Sequence, residues 1–178
     1  MYGKLLSVEL VRGDGSLRHF TGYVFSFKRK KSDDNTTFYE ARLGPWFKYL
    51  SLRRDNYLFH GKTLRDQADS IFADYGAYPS WDWRVAGEDL PMPDAYQLDE
   101  TDFNYLSRRW EAAGYLYWYE HSAEGQKLVV SDDSTAAVPI DGGGAVRFQR
   151  HGGMAARLTR TRSMSGRRCA PRRRPASR

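Results

Sequence analysis

The sequence predicts an α+β fold in which antiparallel strands dominate and helices are inserted between them. Residues 5–44 alternate apolar and polar side chains with a period of two, as half-buried strands do. Two later segments, 62–75 and 99–114, carry apolar residues at helical spacing and end in glycine. The second helix leads directly into a strand rich in aromatic residues. The second half of the chain therefore combines helices with a β-hairpin.

The first 44 residues predict an antiparallel meander of three strands. Segments 5–12 and 17–28 flank a Gly-Asp-Gly turn, and segment 36–44 resumes the alternation. Between the last two lies KRKKSDDN (28–35), whose charge and turn formers predict a solvated hairpin turn. Short loops between consecutive strands favour antiparallel neighbours.

A proline and a helix follow. Pro45 is well placed to open a short helical segment, because a proline at the first helical position lacks only an N–H that would have no partner there. Residues 52–59 are compatible with either a strand or a loop. Thr63 then predicts the cap of a helix over 62–75, with Asp66 favourable in its first turn. Its apolar stripe consists of Leu64, Ala68, Ile71, Phe72 and Tyr75, and Gly76 ends it.

Prolines 79, 91 and 93 punctuate the connector that follows, in which 81–85 (WDWRV) predicts one strand. Asp99 or Thr101 is expected to cap the next helix, which ends at Gly114. Its predicted apolar positions are Phe103, Leu106, Trp110 and Ala113.

The stretch beyond Gly114 (YLYWYEH) has strand composition. Tyr115, Tyr117 and Tyr119 share one face and Leu116 and Trp118 the other, and SAEGQ supplies a turn to the partner strand KLVVSDD. Stacking of bases on these aromatics would need basic neighbours, whereas glutamates lie among them. We therefore expect both faces to be covered by protein, one by the preceding helix and the other by further structure or a subunit interface.

The net charge of +6 is confined to the end of the chain. Residues 154–178 hold nine arginines and no acidic residue, so residues 1–153 carry a net charge of −3 and offer no electrostatic case for nucleic-acid binding. The segment 151–178 is predicted to be disordered. Two interpretations of this segment are open: an arginine-rich arm, or the translation product of GC-rich DNA read in the wrong frame. Its composition, rich in Arg, Ala, Pro, Ser and Gly, favours the second. A single cysteine excludes an internal disulfide.

No catalytic, metal or cofactor residue is predicted. The histidines, at positions 19, 60, 121 and 151, are not at a metal-ligand spacing from one another. The acidic groups Asp33-Asp34, Asp132-Asp133 and Asp99-Glu100-Asp102 are interpreted as turn and cap residues. Glu120-His121 is the most suggestive pair, but no serine or cysteine stands in a nucleophile-elbow context. The sequence therefore predicts a protein that is not an enzyme.

Three ordered blocks resemble the N-terminal, tail-hub-like domain of VgrG proteins, the spike of type VI secretion systems, and related contractile-phage hub proteins. The blocks are FTGYVFSF (20–27), the segment 39–72 and the segment 96–133, and together the resemblance covers roughly residues 5–150. The resemblance implies antiparallel β-barrel-like hub modules with helical insertions, here incomplete. It supplies no catalytic residues.

The resemblance also implies partners and a location: a homotrimer, the tube protein and baseplate components, with synthesis in the cytoplasm and export with the spike. Relative to the family, the chain is expected to be a truncated copy. We expect a partial first β module (1–44), a connector with one helix (45–98) and a helix-plus-hairpin unit (99–150). The alternatives are a contractile-phage baseplate protein, a hub-associated cell-wall hydrolase, and a nucleic-acid binder that acts through the arginine-rich segment.

Overall fold

The computed structural model describes residues 2–33 and 35–137, so the segment 151–178 lies outside the described residues. The strands are β1 (Leu5–Val11), β2 (Leu17–Asp33), β3 (Thr36–Gly44), β4 (Arg54–Lys62), β5 (Trp81–Arg84), β6 (Met92–Thr101), β7 (Leu116–His121) and β8 (Gln126–Ser131). The helices are α1 (Leu64–Ala73) and α2 (Asp102–Ala113), with 3₁₀ turns at Trp46–Ser51 and Ser134–Ala136. Helices and mainly antiparallel strands are interleaved, which confirms the α+β class.

In the described part of the chain, the strands form three small sheets that do not close into a barrel. The order β1-β2-β3 is the predicted antiparallel meander. Strands β4 and β6 pair with each other, and β8 lies between β5 and β7. The pairing of β5 with β8 is parallel, an arrangement that the long connection between the two strands allows and that a hairpin would not.

The predicted hairpin turn at 28–35 is wrong for most of its length. Strand β2 continues through the basic residues to Asp33, and β3 pairs with it throughout, from Lys28 opposite Glu40 to Asp33 opposite Thr36. Charged side chains are compatible with a strand when both faces are exposed, as they are in this ribbon. Two register shifts, one between Val24 and Ser26 and one between Arg29 and Lys31, bend the ribbon that β2 and β3 form.

The connector 45–98 contains β4, β5 and most of β6, where one strand, 81–85, was predicted. The ambiguous segment 52–59 belongs to β4, and β6 runs from Met92 to Thr101 even though it includes Pro93. A proline lacks a backbone donor and is tolerated on edge strands. Both strands of a two-stranded sheet are edges, so β6 meets that condition.

Helix α1 begins as predicted. The Thr63 side chain accepts from the Asp66 backbone N–H, and the Asp66 carboxylate accepts from the Thr63 N–H, which makes a capping box. Asp89, which follows α1 in the connector, adds a second cap. Its carboxylate accepts hydrogen bonds from the N–H groups of Leu64 and Arg65 at 3.0 and 2.9 Å. The helix is shorter than the predicted 62–75.

Helix α2 is capped by Thr101, whose hydroxyl accepts from the Asn104 N–H, and not by Asp99, which lies within β6. Gly114 adopts the left-handed conformation (φ 80°) that ends the helix as predicted. The predicted apolar face is partly wrong, because Ala113 is exposed whereas Tyr105 is completely buried.

One core joins the helices to the sheets β4-β6 and β5-β8-β7. Its members are Trp46, Phe47, Leu50, Phe59, Ala68, Ile71, Phe72, Ala95, Tyr105, Leu106, Trp110, Leu128 and Val130. Aromatic side chains supply much of its volume, since each buries a large apolar area. Neither helix in the described part of the chain has the length and apolarity that a membrane crossing requires.

Candidate assembly interface

The aromatic strand β7 packs one face onto the core. The Tyr117 ring lies 5.5 Å from Phe47 and 5.8 Å from Trp110, both at angles typical of edge-to-face contacts. Trp110 and Phe47 stack on each other at 5.6 Å, so helix α2 and the 3₁₀ turn together cover this face. Burial raises the pKa of the Tyr119 hydroxyl on the same face. The prediction that the preceding helix covers one face of the strand is confirmed.

The opposite face of β7 is half-buried. It carries Leu116, Trp118 and Glu120, and Arg84 of β5 makes a bidentate ion pair with Glu120 at 2.7 and 2.9 Å. Arg84 also donates to Asp82. The hydrogen bonds from Arg84 are the main reason why the pKa of Glu120 is lowered. This face is neither a closed core nor an open aromatic platform.

A buried carboxylate ties the helices to the sheet β4-β6. Asp102, the first residue of α2, is 1% exposed and accepts from the Tyr75 hydroxyl at 2.6 Å and from Gln97 Nε2 at 2.7 Å. The Nε atom of Arg53 lies 3.8 Å away and supplies an opposite charge. Burial, followed by the hydrogen bond to Asp102, raises the pKa of Tyr75. Each polar group named here has a hydrogen-bond or ion-pair partner, so we interpret this network as structural and not catalytic.

The meander is fastened to the rest of the fold through the end of β7. The Thr21 backbone N–H donates to His121 Nδ1 at 3.2 Å, and the Thr21 hydroxyl donates to the Ser122 carbonyl at 3.0 Å. Phe20 lies beside the same imidazole, with ring centroids 6.3 Å apart. Partial desolvation lowers the pKa of His121. Nothing in the sequence relates Thr21 to His121, which is why this contact was not predicted.

The acidic groups singled out from the sequence point to separate partners. Asp132 accepts the N–H groups of Ala86 and Gly87, which lower its pKa, and Asp133 accepts from Thr135. The contact of Asp133 is that of a turn residue, whereas Asp132 binds backbone groups of a segment that is distant in sequence. Asp33 pairs with Lys31, and Asp34 lies outside the described residues.

The residues of the third acidic group, Asp99-Glu100-Asp102, also have different partners. Glu100 pairs with Arg108, Asp99 pairs with Arg54, and Asp102 is buried. The two residues of the Glu120-His121 pair likewise turn to different partners, Arg84 and Thr21. No two of these carboxylates face each other across a cleft.

Histidines do not come together either. His19 lies 3.7 Å from Glu9 and His60 lies 2.9 Å from Asp94, whose hydrogen bond raises the pKa of the imidazole. His151 lies outside the described residues. Across residues 2–33 and 35–137, no three metal-ligating side chains form a group that could hold an ion.

One cleft of about 610 Å³ lies between the start of β1, the segment 77–80 and the β7–β8 turn. Its wall includes Tyr23, Trp46 and Tyr78, and its rim carries Glu124 and Lys127. Glu120, His121 and Ser122 also line this cleft, and each already has a partner. Glu120 pairs with Arg84, His121 accepts from the Thr21 N–H, and the Ser122 hydroxyl donates to the Gly125 carbonyl.

Exposed apolar side chains concentrate on two surfaces. The first is β1, all seven of whose residues are exposed and five of which are leucine or valine. The second is the outer side of the sheet β4-β6, where Leu58 lies opposite Tyr96 and Leu98 follows two residues later. Exposed apolar surface of this kind is typical of protein contact sites.

Comparison with known proteins gives a consistent picture. The family model "Phage tail baseplate hub (GPD)" matches residues 1–177. The type VI secretion system spike protein VgrG1b of Pseudomonas aeruginosa is 29% identical over 142 residues, which are 74% of this chain and 18% of that protein. The actin cross-linking toxin VgrG1 of Vibrio cholerae is 24% identical over 141 residues, 78% of this chain and 13% of the toxin.

Among solved structures, the E. coli c3393 protein superimposes with a TM-score of 0.67 at 19% identity, covering 75% of this chain and 38% of that one. That protein is described as a component of the type VI secretion system with structural similarity to the T4 bacteriophage tail proteins gp27 and gp5. The superposition supports the same fold. This chain spans less than a fifth of the length of the curated relatives above.

Proposed function

Because this chain belongs to the phage tail baseplate hub family, we propose that it serves as a structural hub component of a type VI secretion spike. The observation that carries the proposal is the match of a hub family along almost the whole chain, together with spike proteins as relatives. The described residues contribute a scaffold, in which an aromatic-packed core holds two helices and two sheets together.

The proposed mechanism is mechanical. Force on a spike must pass through packed interfaces, and close-packed interiors transmit strain because they are hardly compressible. The contacts of Tyr117 with Phe47 and Trp110 join β7 to two other elements, and the Arg84–Glu120 pair joins it to β5. A load applied to the hairpin is therefore shared with the helical part of the core.

The proposed partners are further copies of the chain, in a homotrimer, and the tube protein and baseplate components of the apparatus. The exposed apolar residues Leu58, Tyr96 and Leu98 on the sheet β4-β6 support such contacts, since an apolar surface of this kind is stabilised when a partner covers it. Synthesis in the cytoplasm and export with the spike follow from the same proposal. The proposal keeps the three predicted segments of the hub: a partial first β module (1–44), a connector (45–98) and a helix-plus-hairpin unit (99–150).

The proposal assigns no catalysis to this chain. One relative is named as a toxin, but the match covers 13% of that protein. A contractile-phage tail hub is the second candidate, because the family model describes a phage baseplate and the structural relative resembles phage tail proteins.

A chimera tests the proposal. The segment of VgrG1b that matches this chain is replaced by the corresponding residues of this chain, and release of the tube protein into the medium is measured in cells that lack their own spike proteins. We expect release to be retained. A chimera carrying Trp110→Ala should lose it through an unstable core, whereas the exposed change Glu124→Ala should retain it. A soluble, folded chimera that assembles no spike would contradict the proposal.

A further inference from the structure

The outer half of the ribbon that β2 and β3 form is exposed and basic. Every residue from Lys28 to Asp33 of β2 and from Thr36 to Tyr39 of β3 is exposed. Residues 28–42 hold five basic side chains, at positions 28, 29, 30, 31 and 42, and three acidic ones, at positions 33, 34 and 40. The ribbon is therefore positively charged, although residues 1–153 as a whole carry a net negative charge.

On one face of the ribbon, a carboxylate lies among the cations. Lys28 lies directly opposite Glu40 in the register of the two strands. Glu40 also pairs with Lys30 at 2.6 Å and with Arg42 at 3.1 Å. Hydrogen bonds from these two side chains lower the pKa of Glu40. The cations of this face are thus partly neutralised within the ribbon itself.

The opposite face combines an unpaired guanidinium with exposed aromatic rings. Arg29 lies directly opposite Tyr39, and the Tyr39 ring stacks on Phe27 with centroids 5.3 Å apart and planes 13° apart. Tyr39 is 58% exposed. Within residues 2–33 and 35–137, no carboxylate lies at ion-pair distance from Arg29. We call Phe27, Arg29 and Tyr39 the arginine–tyrosine face.

We propose that the arginine–tyrosine face docks onto a partner protein that presents a carboxylate beside apolar side chains. A guanidinium offers a planar fork of N–H donors that matches the two oxygens of a carboxylate. The apolar side chains of the partner cover the rings of Tyr39 and Phe27. Tyrosine and arginine are also the residue types that most often dominate the binding energy of protein interfaces.

The observations favour an acidic protein over the other possible occupants. A single-stranded nucleic acid needs open ring faces and an uninterrupted basic track. Here Phe27 stacks on one face of the Tyr39 ring, and Glu40 lies among the cations. Pairing of the arginine–tyrosine face with the same face of a second copy would bring two arginines together without a carboxylate, and opposed like charges are costly. The proposal rests on contacts within this chain and is independent of the proposed spike function.

A local measurement on the full chain tests the proposal. The probe is a short peptide in which pairs of glutamates alternate with pairs of leucines, so that each side of the extended peptide carries both. Residues 154–178 hold nine arginines that also attract such a peptide. Binding is therefore read at Tyr39, as protection from hydroxyl radicals during a titration. Tyr39 should become protected, whereas Tyr96, which is 54% exposed on another sheet, should not.

Variants separate the proposed contact from general attraction of charges. Arg29→Ala should raise the peptide concentration for half protection by about tenfold. Arg65→Ala removes an equally exposed positive charge from α1 and should change it by less than about twofold. Arg29→Lys keeps the charge but loses the planar fork, so its value should lie between those of the unaltered chain and Arg29→Ala.

Several outcomes would overturn the proposal. They are an unprotected Tyr39, equal effects of Arg29→Ala and Arg65→Ala, and an undiminished affinity of Arg29→Lys. Equal protection by a peptide with glutamine in place of glutamate would show that no carboxylate is needed. Stronger protection of Tyr39 by an oligothymidylate would indicate a nucleic-acid site, and protection in the concentrated chain alone would indicate a second copy as the occupant.

Discussion

The backbone N–H of Thr21 donates a hydrogen bond to Nδ1 of His121 across 3.2 Å, although the two residues are 100 positions apart. This bond fastens the meander to the end of β7. An imidazole nitrogen accepts a hydrogen bond only when it carries no proton, so the bond requires the neutral form of His121. Partial desolvation lowers the pKa of His121, although its side chain remains exposed, and the nearby positive charge of Arg18 acts in the same direction.

Stability should therefore fall on mild acidification. The unfolded chain takes up the proton near pH 6.5, the ordinary pKa of histidine, whereas the folded chain resists it until a lower pH. The contribution of His121 is complete above about pH 6.5 and is lost as the pH falls toward the lowered pKa of the folded state. We expect the thermal midpoint to decline over this window. His121→Asn, whose amide oxygen can accept from Thr21 without titrating, should flatten the decline. Identical pH profiles for the two proteins would contradict this prediction.

The stacking of Trp110 on Phe47 and its contact with Tyr117 should make this residue a major contributor to stability. Trp110 is 1% exposed, and Trp110→Ala should lower the free energy of unfolding by about 3–5 kcal/mol through lost contacts and a cavity. Urea unfolding measures the change. Leu52→Ala removes an exposed apolar side chain and should change the free energy of unfolding by no more than about 0.5 kcal/mol. Similar effects from both variants would refute the placement of Trp110.

Removal of the buried carboxylate should be costly in the same assay. Asp102→Ala leaves the Tyr75 hydroxyl without its acceptor and Gln97 Nε2 with the Glu100 carbonyl alone, and we expect a loss of about 3 kcal/mol. Asp99→Asn is the matched control, because it removes the exposed charge pair with Arg54 while keeping a side chain that tolerates the left-handed backbone at this position (φ 44°), and it should cost less than about 1 kcal/mol. A smaller loss for Asp102→Ala than for Asp99→Asn would contradict the network described.

The start of α1 depends on a residue 25 positions further along the chain. Asp89 accepts the N–H groups of Leu64 and Arg65, so Asp89→Ala should remove a cap and cost about 1 kcal/mol. The neighbouring Glu88 is exposed, and Glu88→Ala should have little effect. Hydrogen exchange of the first turn of α1 provides a local measurement. Unchanged exchange of that turn in Asp89→Ala would show that the cap is not formed.

The helices were predictable because their signals are local. Thr63 and Asp66 define the start of α1, and Gly114 defines the end of α2, from side-chain chemistry within a few residues. The meander was predictable from its alternation of apolar and polar residues. The family resemblance added the expected hub-like fold, which the matching family and structural relatives support.

Strand β6 was missed for a physical reason. Its apolar side chains Tyr96 and Leu98 face outward while Ala95 and Gln97 are buried, so the pattern that normally marks a buried face is inverted. Pro91 just before the strand and Pro93 within it obscured it further. The extension of β2 was missed because a ribbon exposed on both faces has no apolar alternation to detect.

The contacts that join distant segments have no sequence signal at all. The pairing of β5 with β8, the bond between Thr21 and His121, and the bidentate contact of Arg84 with Glu120 arise only when the fold brings them together. The burial of Asp102 belongs to the same class. Its position at the start of a helix predicts an exposed cap residue, whereas Tyr75 and Gln97 enclose it.

Hydroxyl-radical footprinting of tyrosines on the full chain tests the central claim, that the aromatic strand β7 packs against the core and is not an open platform for a ligand. Tyr117 and Tyr119 pack against the core, whereas Tyr39 and Tyr96 are 58% and 54% exposed. The account predicts slow oxidation of the first two tyrosines and rapid oxidation of the other two. Oxidation of Tyr117 and Tyr119 as fast as that of Tyr39 would place β7 in open solvent and contradict the account.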